Sequence, residues 1–188
     1  AANNLLQNGT FDAGNANGWS IQYGLTVEPG AAHASAFGLK MMTNGRIDQV
    51  FPTTVGRTYY AMARVRIDRE VARPTWGGLR VQITAYDWGV RAEKTFGVSE
   101  SPAGQWKRID LTFSATSAQS RFSYENFSGG GQYEASADDF IVSEQPIPAD
   151  GTTPANQPPT VALSAPAAGS SFTAPAVIAF SAMAGDAD

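Results

Sequence analysis

Two alternating runs carry the side chains best suited to chemistry. Within residues 57–86, the first run sends Tyr60, Arg64 and Arg66 one way and Tyr59, Ala61, Ala63, Val65 and Ile67 the other. After a Pro/Gly/Trp loop at 73–78, the second sends Arg80, Gln82, Thr84 and Tyr86 outward and Leu79, Val81, Ile83 and Ala85 inward. The inward sets are core. The outward sets hold guanidiniums, an amide and tyrosines, and a few such polar groups suffice to orient a ligand. Trp76 and Trp88 flank the second run. An aromatic face, with its negative quadrupole, suits the axial C–H bonds of a sugar ring. Glu125 points outward from a later run and adds an acceptor. Between Arg57 and Lys94 eight cations meet four acids, a local +4 in a chain of net charge −4. Arginine's planar fork grips a carboxylate bidentately, so Arg64, Arg66 and Arg80 on one shared face would suit an acidic ligand.

A second chemistry is available to carboxylates alone. Asp12 stands near the N-terminus and Asp138-Asp139 in the final run before the linker. Hard cations such as calcium take six to eight oxygen ligands, about what carboxylates and backbone carbonyls supply. Alternation sends Asp138 and Asp139 to opposite faces, so which of them would ligate stays open. Other chemistries lack their residues. There is no cysteine and one histidine, His33, in the small-residue loop 31–36. No nucleophile–base context, zinc spacing or phosphate-cradling glycine motif is present. A two-carboxylate glycosidase, with Glu125 and Asp87 or Asp110, is the one enzymatic alternative. The net charge argues against a general nucleic-acid binder, and no apolar run is long enough to span a membrane.

The elements that must position these groups are strands. Period-two alternation recurs along the chain, with turn signals about every ten residues, a pattern of β-sandwiches. Strands are expected at 4–6, 19–23, 25–27, 37–42, 46–51, 92–98, 106–113, 121–127 and 137–143, besides the two long runs. Thr43-Asn44-Gly45 reads as a hairpin turn, and the glycines 129–131 as a flexible loop. Trp19 and Trp106, beside apolar positions, are expected in core or rim packing. Residues 1–145 form the main domain and 146–159 a proline-rich linker. Residues 160–188 carry two short strands, 160–164 and 176–181, too few to close a sandwich.

Three pieces align with a known group. Asn4-Leu5-Leu6-Gln7-Asn8-Gly9-Thr10-Phe11-Asp12 with Gly18-Trp19 resembles the opening of carbohydrate-binding modules of the family four, nine and twenty-two group. Trp106-Lys107-Arg108-Ile109 resembles their later Trp-led strand. Tyr124-Glu125-Asn126 and Ala137-Asp138-Asp139-Phe140-Ile141-Val142 resemble their closing strands. The resemblance implies an all-β jelly-roll sandwich of two antiparallel sheets, with a sugar-binding cleft on one concave sheet and a structural calcium. By carry-over, the carbonyls of Thr10 and Lys40 would join Asp12 and Asp138 or Asp139 at the metal; the family usually has Glu where this chain has Asp12. Cleft residues vary among such modules, so no sugar identity carries over. The tail from Asn156-Gln157-Pro158-Pro159 resembles the start of a bacterial immunoglobulin-like domain, a frequent spacer in secreted polysaccharide-degrading enzymes.

The expectation is a secreted, monomeric, non-catalytic carbohydrate-binding module that holds an appended catalytic domain near its polymer. Its ligand-binding residues would be Tyr60, Arg64, Arg66, Trp76, Arg80, Gln82, Tyr86, Trp88 and Glu125. The charge pattern points to a uronate polymer such as alginate or pectin. The alternatives are a neutral β-glucan or xylan held by Trp88, Tyr86 and Glu125, a two-carboxylate enzyme, and a structural or adhesive sandwich.

Overall fold

The computed structural model describes residues 3–72, 76–127, 132–150 and 160–185. Arg73, the glycines 129–131 and the linker prolines 154, 158 and 159 lie outside them, as does the 156–159 motif. The chain divides into two units, 2–147 and 148–188.

The first unit is an all-β jelly-roll sandwich, its strands built by the alternation seen in the sequence. They are β1 (Ser20–Glu28), β2 (Gly38–Pro52), β3 (Thr58–Ala72), β4 (Leu79–Ala85), β5 (Val90–Phe96), β6 (Trp106–Ser114), β7 (Gln119–Asn126) and β8 (Gln132–Ser143). Every pairing is antiparallel, in the order β5-β4-β7-β2-β8-β3-β6, with β1 also on β2.

Strand β2 connects the two layers. Its first part, Leu39 to Met41, pairs with β8. Its second, Gly45 to Pro52, pairs with β7. The change of partner falls at Thr43-Asn44-Gly45, where a hairpin is expected. Asn44 does take a positive φ of 64°. The same left-handed residue that closes a tight turn here bends one continuous strand from layer to layer, as strands do at sandwich corners. β1 bends alongside it, with a register shift at Gly24, φ 65°. The separate strands expected at 19–23 and 25–27 are therefore one.

Inward residues of both layers form a single core. Tyr59, Ala61, Ala63, Val65 and Ile67 of β3 meet Leu79, Val81 and Ile83 of β4, Phe122 and Tyr124 of β7, and Phe140 and Val142 of β8. The expected strand at 4–6 is instead a strap along β8. Leu5 N donates to the Val142 carbonyl at 2.8 Å, and the Asn4 side chain extends this one backbone bond: its Nδ2 donates to the Phe140 carbonyl at 2.9 Å and its Oδ1 accepts from Val142 N at 3.0 Å. Trp19 is core, stacked on Phe11 at 5.8 Å.

The second unit holds an antiparallel pair, β9 (Thr160–Ala165) and β10 (Ser181–Gly185). Residues 176–180, expected as a strand, have no ladder partner among the described residues, and the pairing begins at Ser181 opposite Ala165.

The bend explains two glycines. A Cβ on Gly45 would lie 2.4 Å from Met41 Cγ and 2.7 Å from the Gly24 carbonyl oxygen. Gly45→Ala is expected to cost about 1–3 kcal/mol by overpacking, read as a melting temperature lower by roughly 2–4 °C per kcal/mol. An unchanged melt would show that the bend does not need this close approach.

Candidate functional site

Inward packing of Leu79, Val81 and Ile83 leaves Arg80, Gln82 and Thr84 on the outer face of β4. The register lays their neighbours beside them in rungs. Arg80 stands opposite Glu125 of β7, Glu125 opposite Arg46 of β2, and Arg46 opposite Tyr23 of β1. The next rung is Gln82, Ser123, Asp48 and Ser20, and the one after pairs Thr84 with Arg121.

This outer face is not a plain solvated surface. Asp48, Gln82, Thr84, Arg121, Ser123 and Glu125 are all buried, between 0% and 7% exposed. Ion pairs knit them together. Arg46 grips Asp48 bidentately, Nε to Oδ1 at 2.9 Å and Nη2 to Oδ2 at 2.8 Å. It reaches Glu125 Oε1 with Nη1 at 2.7 Å, and Arg80 Nη2 holds Oε2 at 2.6 Å. Gln82 donates to Glu93 at 2.7 Å. Burial alone would lower the Arg46 pKa; its bonds to Asp48 and the charge of Asp48 and Glu125 more than offset this and raise it.

Exposed aromatics stand at both ends. At one, Trp88 lies over Arg121, 3.4 Å from ring centre to guanidinium carbon, with Tyr86 at 5.8 Å. At the other, Trp76 stands 6.3 Å from Phe127, on which Arg80 rests at 4.3 Å. A groove lined by Tyr23, Asn44, Arg46, Glu125, Asn126 and Phe127 opens there. The arrangement is a fixed hydrogen-bonding floor between stacking surfaces, which can bind and orient a polar, ring-bearing ligand.

Trp76, Arg80, Gln82, Tyr86, Trp88 and Glu125 thus gather on or beside this one face. Tyr60, Arg64 and Arg66 do not. Three strands separate β3 from β4 in the pairing order, so the two long runs share no face. Arg64 Nε approaches Asp139 at 3.4 Å. Arg66 binds Asp68 at 2.5 Å and lies over Trp106 at 4.7 Å. Tyr60 sits half-buried between Thr112 and Ser143. Arg46, Asp48, Arg121, Ser123 and Tyr23 belong to the site but are absent from the sequence-derived set. Arg121 and Ser123 share the parity of Glu125, so alternation along β7 would have found them. Arg46 and Asp48 lie in the strand expected at 46–51, but their place beside Ser123 and Glu125 comes from long-range pairing with β7.

The expected metal ligands part company. Asp138 is fully buried, its Oδ2 accepting from His33 N and Ser35 Oγ, each at 2.8 Å, and its Oδ1 from Asp139 N at 2.8 Å. Burial pushes its carboxyl above the ordinary value, against the pull of these bonds. Ser35 Oγ also faces the carbonyls of Phe37 at 2.7 Å and Thr10 at 3.4 Å. One hydroxyl proton cannot serve three acceptors. Asp12 Oδ1 accepts from the adjacent Ala36 N at 3.0 Å. Asp139 turns instead to His33 Nδ1 at 3.0 Å, and Lys40, expected to offer its carbonyl, stands in β2 between Thr26 of β1 and Ser136 of β8.

No protein-family model and no curated protein matches the chain. Solved structures do, as folds. A family 16 carbohydrate-binding module has TM-score 0.55 at 18% identity, covering 74% of this chain and 99% of that one. A family 61 module in complex with β-1,4-galactotriose has TM-score 0.56 at 14% identity, covering 75% and 98%. The Clostridium thermocellum xylanase 10B modules CBM22-1 and GH10, complexed with xylohexaose, match at TM-score 0.54 and 15% identity, over 81% of this chain and 30% of that one. The chain has the carbohydrate-binding-module jelly roll.

The ion-pair lattice makes a stability claim. Removing one partner of a buried pair leaves an uncompensated charge, at a cost of about 3–5 kcal/mol. Arg46→Ala takes from the fully buried Asp48 its bidentate partner and leaves it Arg121 at 3.8 Å, so a loss near the lower end is expected, measured by urea unfolding. A loss under about 1 kcal/mol, the range of exposed pairs, would contradict it.

Proposed function

We propose that this chain is a non-catalytic carbohydrate-binding module and that the outer face of β4, β7 and β2 is where it holds its glycan. The observation that carries this reading is the buried polar floor, Arg80, Glu125, Arg46 and Asp48, fixed by its own ion pairs and flanked by exposed aromatics. Sugar hydroxyls meet preorganised donors and acceptors there, and ring faces meet Tyr86 at one end and Tyr23 and Trp76 at the other. The similar folds include modules seen with galactotriose and xylohexaose, one of them attached to a catalytic domain. By analogy the chain would act in a secreted enzyme, as a monomeric module raising the effective concentration of polymer near an appended catalytic domain. The 160–185 segment fits the opening of an immunoglobulin-like spacer.

The charge on the face favours a neutral polymer over a uronate one. Arg64 and Arg66 stand on another layer, Arg46 and Arg80 are engaged with Asp48 and Glu125, and Arg121, without a hydrogen bond among the described residues, is buried beside Asp48 rather than presented to solvent. The geometry does not favour the expected enzymatic pair, Glu125 with Asp87 or Asp110. Glu125 is held by two arginines, Asp87 bonds its own turn at Gly89 N, and Asp110 bonds Arg108 on β6. Affinity electrophoresis against xylan, β-glucan, galactan, alginate and pectin tests both points. Retention by a neutral polymer, little changed by salt and weakened by Tyr86→Ala and Trp76→Ala, is expected. Retention by alginate or pectin alone that collapses with salt, as screening requires of exposed charges, would overturn the neutral reading. Retention by none would overturn the glycan reading.

We further propose a structural calcium at Asp138, Asp12 and the Thr10 carbonyl. The oxygen-rich, proton-poor surroundings of Ser35 support it, since calcium would supply the charge those oxygens lack. A cation bound only by the folded chain stabilises it by mass action. Calcium is expected to raise the melting temperature, and Asp138→Asn to abolish the rise. In chelator, Asp138 has a folded-state pKa above its unfolded value. It therefore removes stability as pH climbs through that folded value, and calcium should suppress this slope. A melt indifferent to calcium would contradict the site.

A further inference from the structure

Arg121 is out of place as a structural residue. A guanidinium offers five donors. This one is 7% exposed, makes no hydrogen bond among the described residues, and comes no nearer a carboxylate than 3.8 Å, to Asp48 Oδ2. Its Nη1 is buried without a partner, and so are Thr84 Oγ1, opposite it on β4, and Ser123 Oγ, two residues along β7. The other two arginines of the floor take the available carboxylates, Arg46 and Arg80 sharing Asp48 and Glu125. Buried polar groups are nearly always satisfied, and a cluster that is not calls for a reason.

Over the Arg121 guanidinium of this cluster lies Trp88, whose ring also faces Arg46 at 5.1 Å, and Trp88 is itself held under strain. Its N–H donates to the Ala85 carbonyl at 3.0 Å, and Ala85 N donates to the Gly89 carbonyl at 2.8 Å. That is a three-residue hairpin loop whose last position takes the left-handed conformation, a position glycine usually fills. Here it is tryptophan, at φ 71°, although glycine is the next residue. Strain of this kind persists at functional positions. Two unfavourable features therefore meet at one contact: a strained backbone and an unsatisfied buried guanidinium, joined by an indole that is 47% exposed on its outer side.

We propose that Trp88 is a movable cover and that Arg121, with Thr84, is the glycan-reading pair beneath it. On binding, the indole leaves the guanidinium, and sugar oxygens reach Arg121 Nη1 and Thr84 Oγ1. Stacking at this end then falls to Tyr86, and selectivity comes from a hydroxyl placed to meet the freed fork. The inference rests on the glycan reading of the face and adds to it which residues discriminate and that the site opens.

Three measurements on the whole chain test this. Trp88→Gly relieves the left-handed residue and uncovers Arg121; its melting temperature is expected not to fall, and its affinity for the polymer that retains the parent chain to rise several-fold. Arg121→Lys keeps the charge and loses the fork; affinity is expected to fall about tenfold, as for loss of a charge-assisted hydrogen bond, with and without Trp88. Fluorine NMR of 5-fluorotryptophan-labelled chain, assigned with Trp88→Phe, should show the Trp88 resonance moving to its solvent-exposed position on glycan addition, which reads the cover even if Arg121→Lys folds poorly. Weaker binding by Trp88→Gly with an unmoved Trp88 resonance would make Trp88 a fixed platform and overturn the proposal. A Trp88→Gly melt lower by several degrees would do the same without any ligand. Failure of the parent chain to bind any polymer would defeat the glycan reading instead.

Discussion

The bend in β2 is the constraint on which the rest depends. One strand serves β8 before Asn44-Gly45 and β7 after it. Because side chains alternate along a strand, that single bend decides which residues join the shared core and which face outward. Ile47 and Phe51 go to the core, while Arg46 and Asp48 go to the outer face beside Glu125. Gly24 and Gly45 permit the close passage of β1 that lets both strands turn together. Without the bend, Arg46 and Asp48 would not lie beside Glu125, and Glu125 would keep Arg80 alone.

The floor combines rigidity with reserve. Ion pairs tie Arg46, Arg80, Asp48 and Glu125 together, with only Arg80 Nε and Glu125 Oε1 buried among them without a hydrogen bond; this fixes their geometry before any ligand arrives and reduces the ordering cost of binding. Arg121 under Trp88, with Thr84 and Ser123 beside it, keeps side-chain atoms without a hydrogen bond. A site built this way separates two tasks: the ion-paired lattice holds shape, and the unsatisfied groups beside it retain capacity for new bonds. The opposite layer lacks this reserve at Arg66 and Lys40, both closed on Asp68.

Much of this was legible in the sequence, and the rest failed for identifiable reasons. Alternation sorted inward from outward correctly along β3 and β4, because a two-residue period leaves no ambiguity once a strand is long. It could not tell whether those strands are neighbours. A short connection between alternating runs suits a hairpin, yet here it joins strands separated by β7, β2 and β8. That placed Arg64 and Arg66 with Arg80 and inflated the apparent charge of one face. Asn44-Gly45 reads as a hairpin turn, but a tight turn and this bend both ask for a left-handed residue, met here by Asn44, and only long-range pairing separates them. The Arg46–Asp48–Glu125 lattice joins β2 to β7, segments distant in sequence, so no local pattern announces it.

Mapping a bound glycan onto backbone amides by NMR would test the central claim most directly. Titration with an oligosaccharide of the polymer that the chain retains should shift amides of Arg80, Gln82, Ser123, Glu125, Arg46 and Asp48, and of the 86–89 turn. Amides of Tyr60, Arg64 and Arg66 on β3 should stay still. Shifts concentrated on β3 and β6, with β4 and β7 silent, would place the ligand on the other layer and contradict the account.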